Sequence, residues 1–367
     1  MSKKNVPRGT KEKSKFYDYS IINREIEKEE SKGNKIALIV ITSNRGDGKT
    51  TRTLKKMFAL HEENELYQFG VLFRQQGEVS DLLGLIETFA GLFPEYTGEF
   101  KMNTYCKGLF TEVTRDGVTL CWGFCMHNVD ALKKHSLMFT HVEEIFFDEY
   151  QKEDGKYLPN EIKRFLSVVT TVGRGQGKSS RPIKVTLLGN YVTLMNPYLI
   201  YLGVHKRIRD NTKFLRGKHW ICHFNINENA KKEMLENPLL EIFSEEKYIQ
   251  SSAEGIYLND SDTFIQKTPR GKNFNLCTII HDGHYYGVLE FYNEGVVYIT
   301  DDKGVVRRDH DQLLSFKQGD HSQNTMLVSH YDYIYKGLMK YYKKGLLRFK
   351  NIECKNMIFD FLAISVI

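Results

Sequence analysis

Nowhere does the chain hold the roughly 18 consecutive apolar residues that a bilayer-spanning helix needs, so no membrane partner is expected. The basic start Met1-Ser-Lys-Lys-Asn-Val-Pro-Arg8 has no apolar stretch behind it, which speaks against a secretory leader and for an intracellular protein. Cysteine is sparse: six residues scattered over 367 make no disulfide framework. The one close pair, Cys121 and Cys125 with His127 following, could form half a zinc site, yet no second ligand pair follows at a useful spacing. That stretch reads better as a buried strand. Internal repeats are absent, which excludes a solenoid.

What is present points to a folded protein of more than one domain. Hydrophobic residues make up 41% and aromatic residues 13%, enough for real cores in a chain of this length. The net charge of +6 is mild, but its distribution is uneven. Lys3, Lys4, Arg8, Lys11, Lys13 and Lys15 face a single acid, Glu12. A solvated tail and an arm that contacts a polyanion by releasing counterions both fit this pattern.

Residues 1–33 are polar, with only Ile21–Ile26 suggesting a helical turn. Lys35–Thr42 is a continuous, β-branched apolar run, the mark of a strand buried on both faces. A glycine loop and a helix over Thr51–His61 follow. Further strands are expected at Tyr67–Arg74, Gly117–Met126, Val142–Phe147, Ile183–Leu188 and His219–Ile226, with helices at Val79–Ala90, Val129–His135 and Pro159–Val169. This alternation predicts a largely parallel, three-layer α/β sheet ending near residue 228. Residues 229–272 read as a helix followed by broken pattern, a linker region. From residue 273 a β-meander (Leu276–His281, Tyr285–Tyr292, Gly295–Thr300) leads into a helix at about 328–343, a short strand and a final helix, an α+β domain.

Ser43-Asn44-Arg45-Gly46-Asp47-Gly48-Lys49-Thr50, with Thr51 beyond it, carries the first chemistry. Glycines let successive backbone N–H groups turn toward a phosphate. Lys49 would meet the β- and γ-phosphates of ATP and Thr50 would ligate Mg²⁺. The strict phosphate-loop pattern fails once, at Ser43, where a glycine belongs. Gly173-Arg-Gly-Gln-Gly-Lys-Ser179 looks similar but follows a helix and precedes a strand, so no helix N-terminus awaits a phosphate there. The second half of the site is Glu144-Ile-Phe-Phe-Asp148-Glu149. Asp148 at the strand end would hold Mg²⁺ and Glu149 would polarise the attacking water. An acidic strand end is common on its own; together with Lys49 and Thr50 it predicts an ATPase.

These motifs resemble the large-terminase and viral DNA-packaging ATPases, P-loop motors of the ASCE/RecA-like class. Arg45 stands inside the loop as it commonly does in that family, Phe69–Arg74 looks like its second strand, and Thr186–Asn190 with Asn196-Pro197 is similar to its γ-phosphate-sensing segment, with Asn190 at the nucleotide. The resemblance covers residues 35–200 by motif and is nearest to the small packaging ATPases of picovirinae-type podophages. It implies ATP-driven translocation of double-stranded DNA into a procapsid, a homomeric ring of five subunits docked on the portal, and a structural packaging RNA as a possible partner. It also implies a location in the host cytoplasm and transiently at the portal vertex, outside the mature virion. Arg174 is the expected trans-acting arginine finger, with Arg164 and Arg181 as competitors and a plain surface arginine as the bland reading; Lys133 and Lys134 are further trans candidates.

The C-terminal domain is implied to be RNase H-like. Asp282, Asp301, Asp302 and Asp360 do not form one convincing metal site in sequence, so a vestigial nuclease used for binding nucleic acid or portal is expected. Lys336, Lys340, Lys343, Lys344, Arg348 and Lys350, with Tyr335, Tyr341, Tyr342 and Phe349 between them, suit nucleic-acid contact, although some of these aromatics must be core. The rival expectations are a terminase with an active nuclease, a helicase-like ATPase, and a non-hydrolysing nucleotide-binding scaffold.

Overall fold

The computed structural model describes residues 16–127, 129–152, 157–174, 181–194, 196–208, 212–242, 264–304, 306, 313–362 and 364. The basic residues 3–15, the glycine-rich segment 175–180 and positions 243–263 of the expected linker lie outside the described residues.

The chain opens with α1 (Tyr19–Glu30), capped by Asp18, whose side chain accepts from Ser20 N. This helix is far longer than the single turn legible in the sequence. Tyr17, Ile22 and Ile26 explain it, because they are buried against the sheet rather than solvated. Then come β1 (Leu38–Ser43), α2 (Lys49–Glu63), β2 (Gln68–Phe73), α3 (Leu82–Leu92), β3 (Phe100–Tyr105), β4 (Phe110–Arg115), β5 (Val118–Cys125), α4 (Val129–Leu132) and β6 (Val142–Phe147). They are followed by α5 (Glu161–Val172), β7 (Lys184–Gly189), α6 (Pro197–Tyr201), α7 (Val204–Arg207), β8 (Phe214–Arg216), β9 (Trp220–Asn225), α8 (Glu228–Leu235) and α9 (Pro238–Ile242).

The nine strands lie in the order β3-β4-β5-β2-β6-β7-β1-β9-β8. The six central strands are parallel, and antiparallel pairs close both edges. Successive residues of β1 face opposite layers. Ile39 and Ile41 join a core with α1, α2 and α3, while Val40 joins a core with α4 to α7. Burial on both faces is what a near-continuous apolar strand requires. The Asn160 cap in left-handed conformation, not Pro159, sets the start of α5. The expected helix at Asn229–Phe243 is broken into α8 and α9 as far as it is described.

The second sheet contains β10 (Asn273–His281), β11 (His284–Phe291), β12 (Val296–Thr300), β13 (Leu313–Ser315), β14 (Met326–Leu327) and β15 (Leu347–Phe349), with helices α10 (Tyr333–Lys343) and α11 (Ile352–Leu362). Its order is β14-β13-β10-β11-β12-β15. β10 to β12 form the expected meander; β13 runs parallel to β10 and β15 parallel to β12. Leu338, Met357, Phe359 and Phe361 from the two helices cover one face.

Candidate nucleotide site

β1 ends at Ser43, and the chain turns through Asn44–Gly48 into α2. Gly46 and Gly48 take φ of 77° and 70°, the left-handed conformation that strains other residues. Alternating such residues bends the loop into a concavity of backbone N–H groups at a helix N-terminus, the standard geometry for binding an anion. Ser43 is wholly buried as the last rung of β1, paired with Asn225 of β9. Its position in the strand needs no glycine.

Lys49 is buried, and its ammonium donates to Asn190 Oδ1 at 2.6 Å. Burial lowers its pKa, while Asp148 and Asp47 oppose the shift and nearby Arg45 adds to it. The Thr50 hydroxyl donates to Asp148 Oδ2 at 2.6 Å. Burial pushes Asp148 above the usual carboxylate range, and the Thr50 bond and Lys49 only partly offset it. A half-buried carboxylate and a hydroxyl face each other here with only a lysine near to offset the charge. The donor set is hard oxygen, which suits Mg²⁺. Ser43, Asn44, Asp47, Lys49, Thr50, Asp148 and Asn190 are therefore brought together, with Arg45 and Thr51 half-buried beside them.

Glu149 follows Asp148 with its side chain exposed and its backbone at φ 55°. A non-glycine residue held there costs about 1–3 kcal/mol, so something must hold it. The holder is Arg74, at the end of β2. Its guanidinium donates to the carbonyls of Glu149 (3.2 Å) and Tyr150 (3.1 Å). It is itself clamped by Glu161 through Nε and Nη2, at 2.9 to 3.2 Å. Glu161 also accepts from Tyr198 Oη (3.0 Å) and Leu158 N (2.8 Å). Both ions are almost fully buried.

A second chain of contacts crosses the sheet. Tyr150 Oη meets Thr42 Oγ1 at 2.7 Å and accepts from Gln151 Nε2 at 3.0 Å. Gln151 Oε1 accepts from the amides of Val192 and Thr193, just beyond Asn190. Gly189 leaves room for this path: a Cβ there would lie 2.6 Å from the Tyr150 ring. From below, Asn225 and Asn227 donate to the two oxygens of Asp47 (3.2 and 2.7 Å), and Asn44 and Asn227 exchange two hydrogen bonds.

Glu161, Gln151, Asn225 and Asn227 were not legible as site residues. An Asn-x-Asn between a strand and a helix signals only an N-cap, which Asn227 indeed provides for α8. Thr186 departs from its expected place: it is buried beneath α2, donating to Glu144, which pairs with Lys56. Of the three arginines, Arg181 is buried on the carbonyls of Phe139 and Val172, and Arg164 bonds the carbonyls of Pro159 and His127. Arg174, at the end of α5, is exposed. Cys121 and Cys125 are both buried in β5.

In the second sheet the acids are already matched. Lys350 bridges Asp301 (2.7 Å) and Asp302 (2.5 Å), Asn351 adds a bond to Asp301, and Lys317 pairs with Asp282 at 2.9 Å. Asp360 lies between His281 (3.0 Å) and His205 (3.4 Å). His281, Asp282 and Asp320 come close enough to share a cation, but both Asp320 oxygens accept from backbone amides. Tyr335, Tyr342 and Phe349 are core, whereas Lys336, Lys340, Lys343 and Lys344 line the exposed side of α10.

The podovirus DNA encapsidation protein (Gp16) family matches over residues 25–367. The DNA packaging protein of Bacillus phage B103 is 24% identical over 314 residues, 84% of this chain and 90% of its own length. That of Bacillus phage phi29 is 24% identical over 238 residues, 60% of this chain and 65% of its own. A chain of the bacteriophage phi29 viral genome packaging motor assembly shares the fold at a TM-score of 0.53 and 20% identity, covering 96% of this chain and 100% of its own. The family match over residues 25–367, which takes in both sheets, places the chain in the podovirus DNA encapsidation protein (Gp16) family.

Proposed function

We propose that this phage genome packaging ATPase binds Mg²⁺·ATP between the loop 43–50 and the Asp148–Glu149 strand end and spends its hydrolysis on moving double-stranded DNA. The observation that carries the reading is the joint placement of Lys49 on Asn190 and Thr50 on Asp148, with Glu149 exposed next to them. When bound, Mg²⁺ neutralises phosphate oxygens, and Thr50 and Asp148 are the residues to hold it. Lys49 leaves Asn190 for the β- and γ-phosphates, so Asn190 senses whether a nucleotide is present. Glu149 accepts the proton of the attacking water, its carboxylate aimed by the Arg74 clamp on its backbone. Arg45 and the loop amides orient the phosphates. The order of strands supports the ASCE/RecA-like assignment, since β7 separates the phosphate-loop strand β1 from the acidic strand β6.

The chain divides, on this reading, into a basic arm (1–33) whose last half packs onto the ATPase domain (34–228), a linker region (229–272) and a C-terminal domain (273–367). The meander flanked by parallel strands supports an RNase H-like origin for the last. Lys350 and Lys317 occupying its acids support loss of nuclease chemistry. The exposed lysines of α10 suit a phosphate backbone, which a motor indifferent to sequence must grip. The working form is a homomeric ring, a pentamer on the portal of a procapsid, with a packaging RNA as a further partner and Arg174 of one subunit serving the next. Such a finger contributes about 10³–10⁵ in rate.

ATP hydrolysis measured with and without double-stranded DNA and empty procapsids tests the reading. Strong stimulation by both together is expected; indifference to both would overturn it.

A further inference from the structure

A groove of about 340 Å³ runs along the outer face of α5 where α6 crosses it, walled by Ile162, Lys163, Leu166, Thr170, Pro197 and Tyr201. Its wall is mostly apolar, yet Leu166 and Tyr201 leave 43% and 66% of their surface exposed. A groove whose apolar wall is left open to solvent is a surface that an apolar partner segment can cover. Elsewhere on the same chain, α9 buries none of its residues and exposes Leu239 by 63% and Ile242 by 73%. Between those two apolar side chains stands Glu241, exposed, and at the groove stands Lys163, also exposed and opposite in charge.

The two surfaces are tied to two halves of the nucleotide chemistry. Residues 163, 166, 167 and 170 form one stripe of α5 at helical spacing, and that stripe runs on to Arg174. At the other end, α8 is rooted on the phosphate loop. Its cap, Asn227, bonds Asn44 and Asp47, and Ala230 lies so close to Gly46 that a Cβ added there would sit 3.8 Å away. α9 follows α8 directly. A copy that seats α9 on this stripe also brings its α8, rooted at the phosphate loop, to the face of α5 that leads to Arg174.

We infer that the α5–α6 groove receives α9 of a second copy of this chain, and that the contact delivers the groove's own Arg174 to the phosphate loop of that second copy. The inference rests on the ring reading above and names the surfaces that build it. Different patches meeting on identical chains make a head-to-tail contact, which closes into a ring when the rotation permits.

The test is cysteine crosslinking of the full chain with a non-hydrolysable ATP analogue, Mg²⁺, DNA and procapsids. Cys106, exposed where the other five cysteines are buried, is first replaced by serine. A chain carrying both Leu166→Cys and Leu239→Cys is expected to give a ladder of disulfide-linked oligomers on mild oxidation. A mixture of the two single variants is expected to stop at dimers. Activity supplies an independent readout. Glu149→Gln and Arg174→Ala chains, each inactive alone, should regain ATPase activity when mixed, and adding Leu239→Asp to the Arg174→Ala chain should remove that rescue. Rings seen by electron microscopy without a ladder, or dimers from Leu239→Cys alone, would overturn the inference and leave the ring standing. A wild-type chain that stays monomeric with all these components would overturn both.

Discussion

Two strand ends in this molecule carry the same sequence texture and opposite chemistry. β6 runs Ile-Phe-Phe into Asp148-Glu149, and β12 runs Tyr-Ile-Thr into Asp301-Asp302. At the first, the facing group is a hydroxyl, Thr50, and burial raises the pKa of Asp148. At the second, the facing group is the Lys350 ammonium, whose bonds hold both carboxyls below their usual range. At the first strand end the carboxylate is bonded to a neutral hydroxyl, and at the second both carboxylates are already bridged by an ammonium. Paired acids after an apolar strand are thus an incomplete signature; the group brought opposite them decides whether they can take a metal.

The largest effect expected from breaking this comparison is at Glu149. Glu149→Gln keeps the shape and removes the base, so steady-state ATP hydrolysis should fall by about 10²–10⁴ while a fluorescent ATP analogue still binds. The matching change Asp302→Asn should leave turnover unaltered. Hydrolysis that survives Glu149→Gln would remove the mechanism proposed here.

Next comes the clamp behind Glu149. Glu161→Gln would leave the Arg74 charge buried without its counter-ion, a loss of about 3–5 kcal/mol in denaturant unfolding. Replacing Arg74 by Met as well should recover much of that stability but not the turnover, because the carbonyls of Glu149 and Tyr150 would stay unheld. Full activity in the stable double variant would show that the clamp is structural only.

A smaller effect follows from the N-terminal segment. His223 on β9 is stacked on Phe214 and accepts from Tyr17 Oη at 2.6 Å when neutral at Nδ1. Burial lowers its pKa from the ordinary 6.5 to about 4. Between these values the unfolded chain binds a proton that the folded chain refuses. Stability is therefore complete above about pH 6.5 and lost as pH falls toward 4, by roughly 3 kcal/mol at about 1.4 kcal/mol per unit. Thermal unfolding followed from pH 7 to 5 should show the loss, and His223→Gln should flatten it; an unchanged slope would refute the assignment.

What could be read beforehand depended on how local the cause was. β6 falls at Val142–Phe147 as expected, because a strand buried on both faces must be apolar throughout. The β3–β4 hairpin was missed. Phe100, Met102 and their exposed neighbours alternate too weakly at a sheet edge, and its turn puts Cys106 and Lys107, which are not usual turn residues, at positive φ ahead of Gly108. Glu161 reads as an ordinary first-turn acid of a helix; only the fold brings Arg74 across to it. The phosphate loop itself was legible because strand, glycines and helix are contiguous. The asparagines that brace it, Asn225 and Asn227, arrive from the far end of the sheet.

The smallest expected effect is at the C-terminal acids, and it sharpens the comparison most. Lys350 and the two aspartates it bridges are each more than a third exposed or close to it, and ion pairs in that setting contribute about 0–1 kcal/mol. Lys350→Ala should therefore change unfolding by less than about 1 kcal/mol and leave ATP hydrolysis as it was. If the lysine has replaced the metal, the wild-type protein incubated with DNA and Mn²⁺ leaves the DNA intact, and so does Asp282→Asn. Cleavage by the wild type that disappears with Asp282→Asn would mean that the His281-Asp282-Asp320 cluster still binds its cation, and that the second domain is a working nuclease.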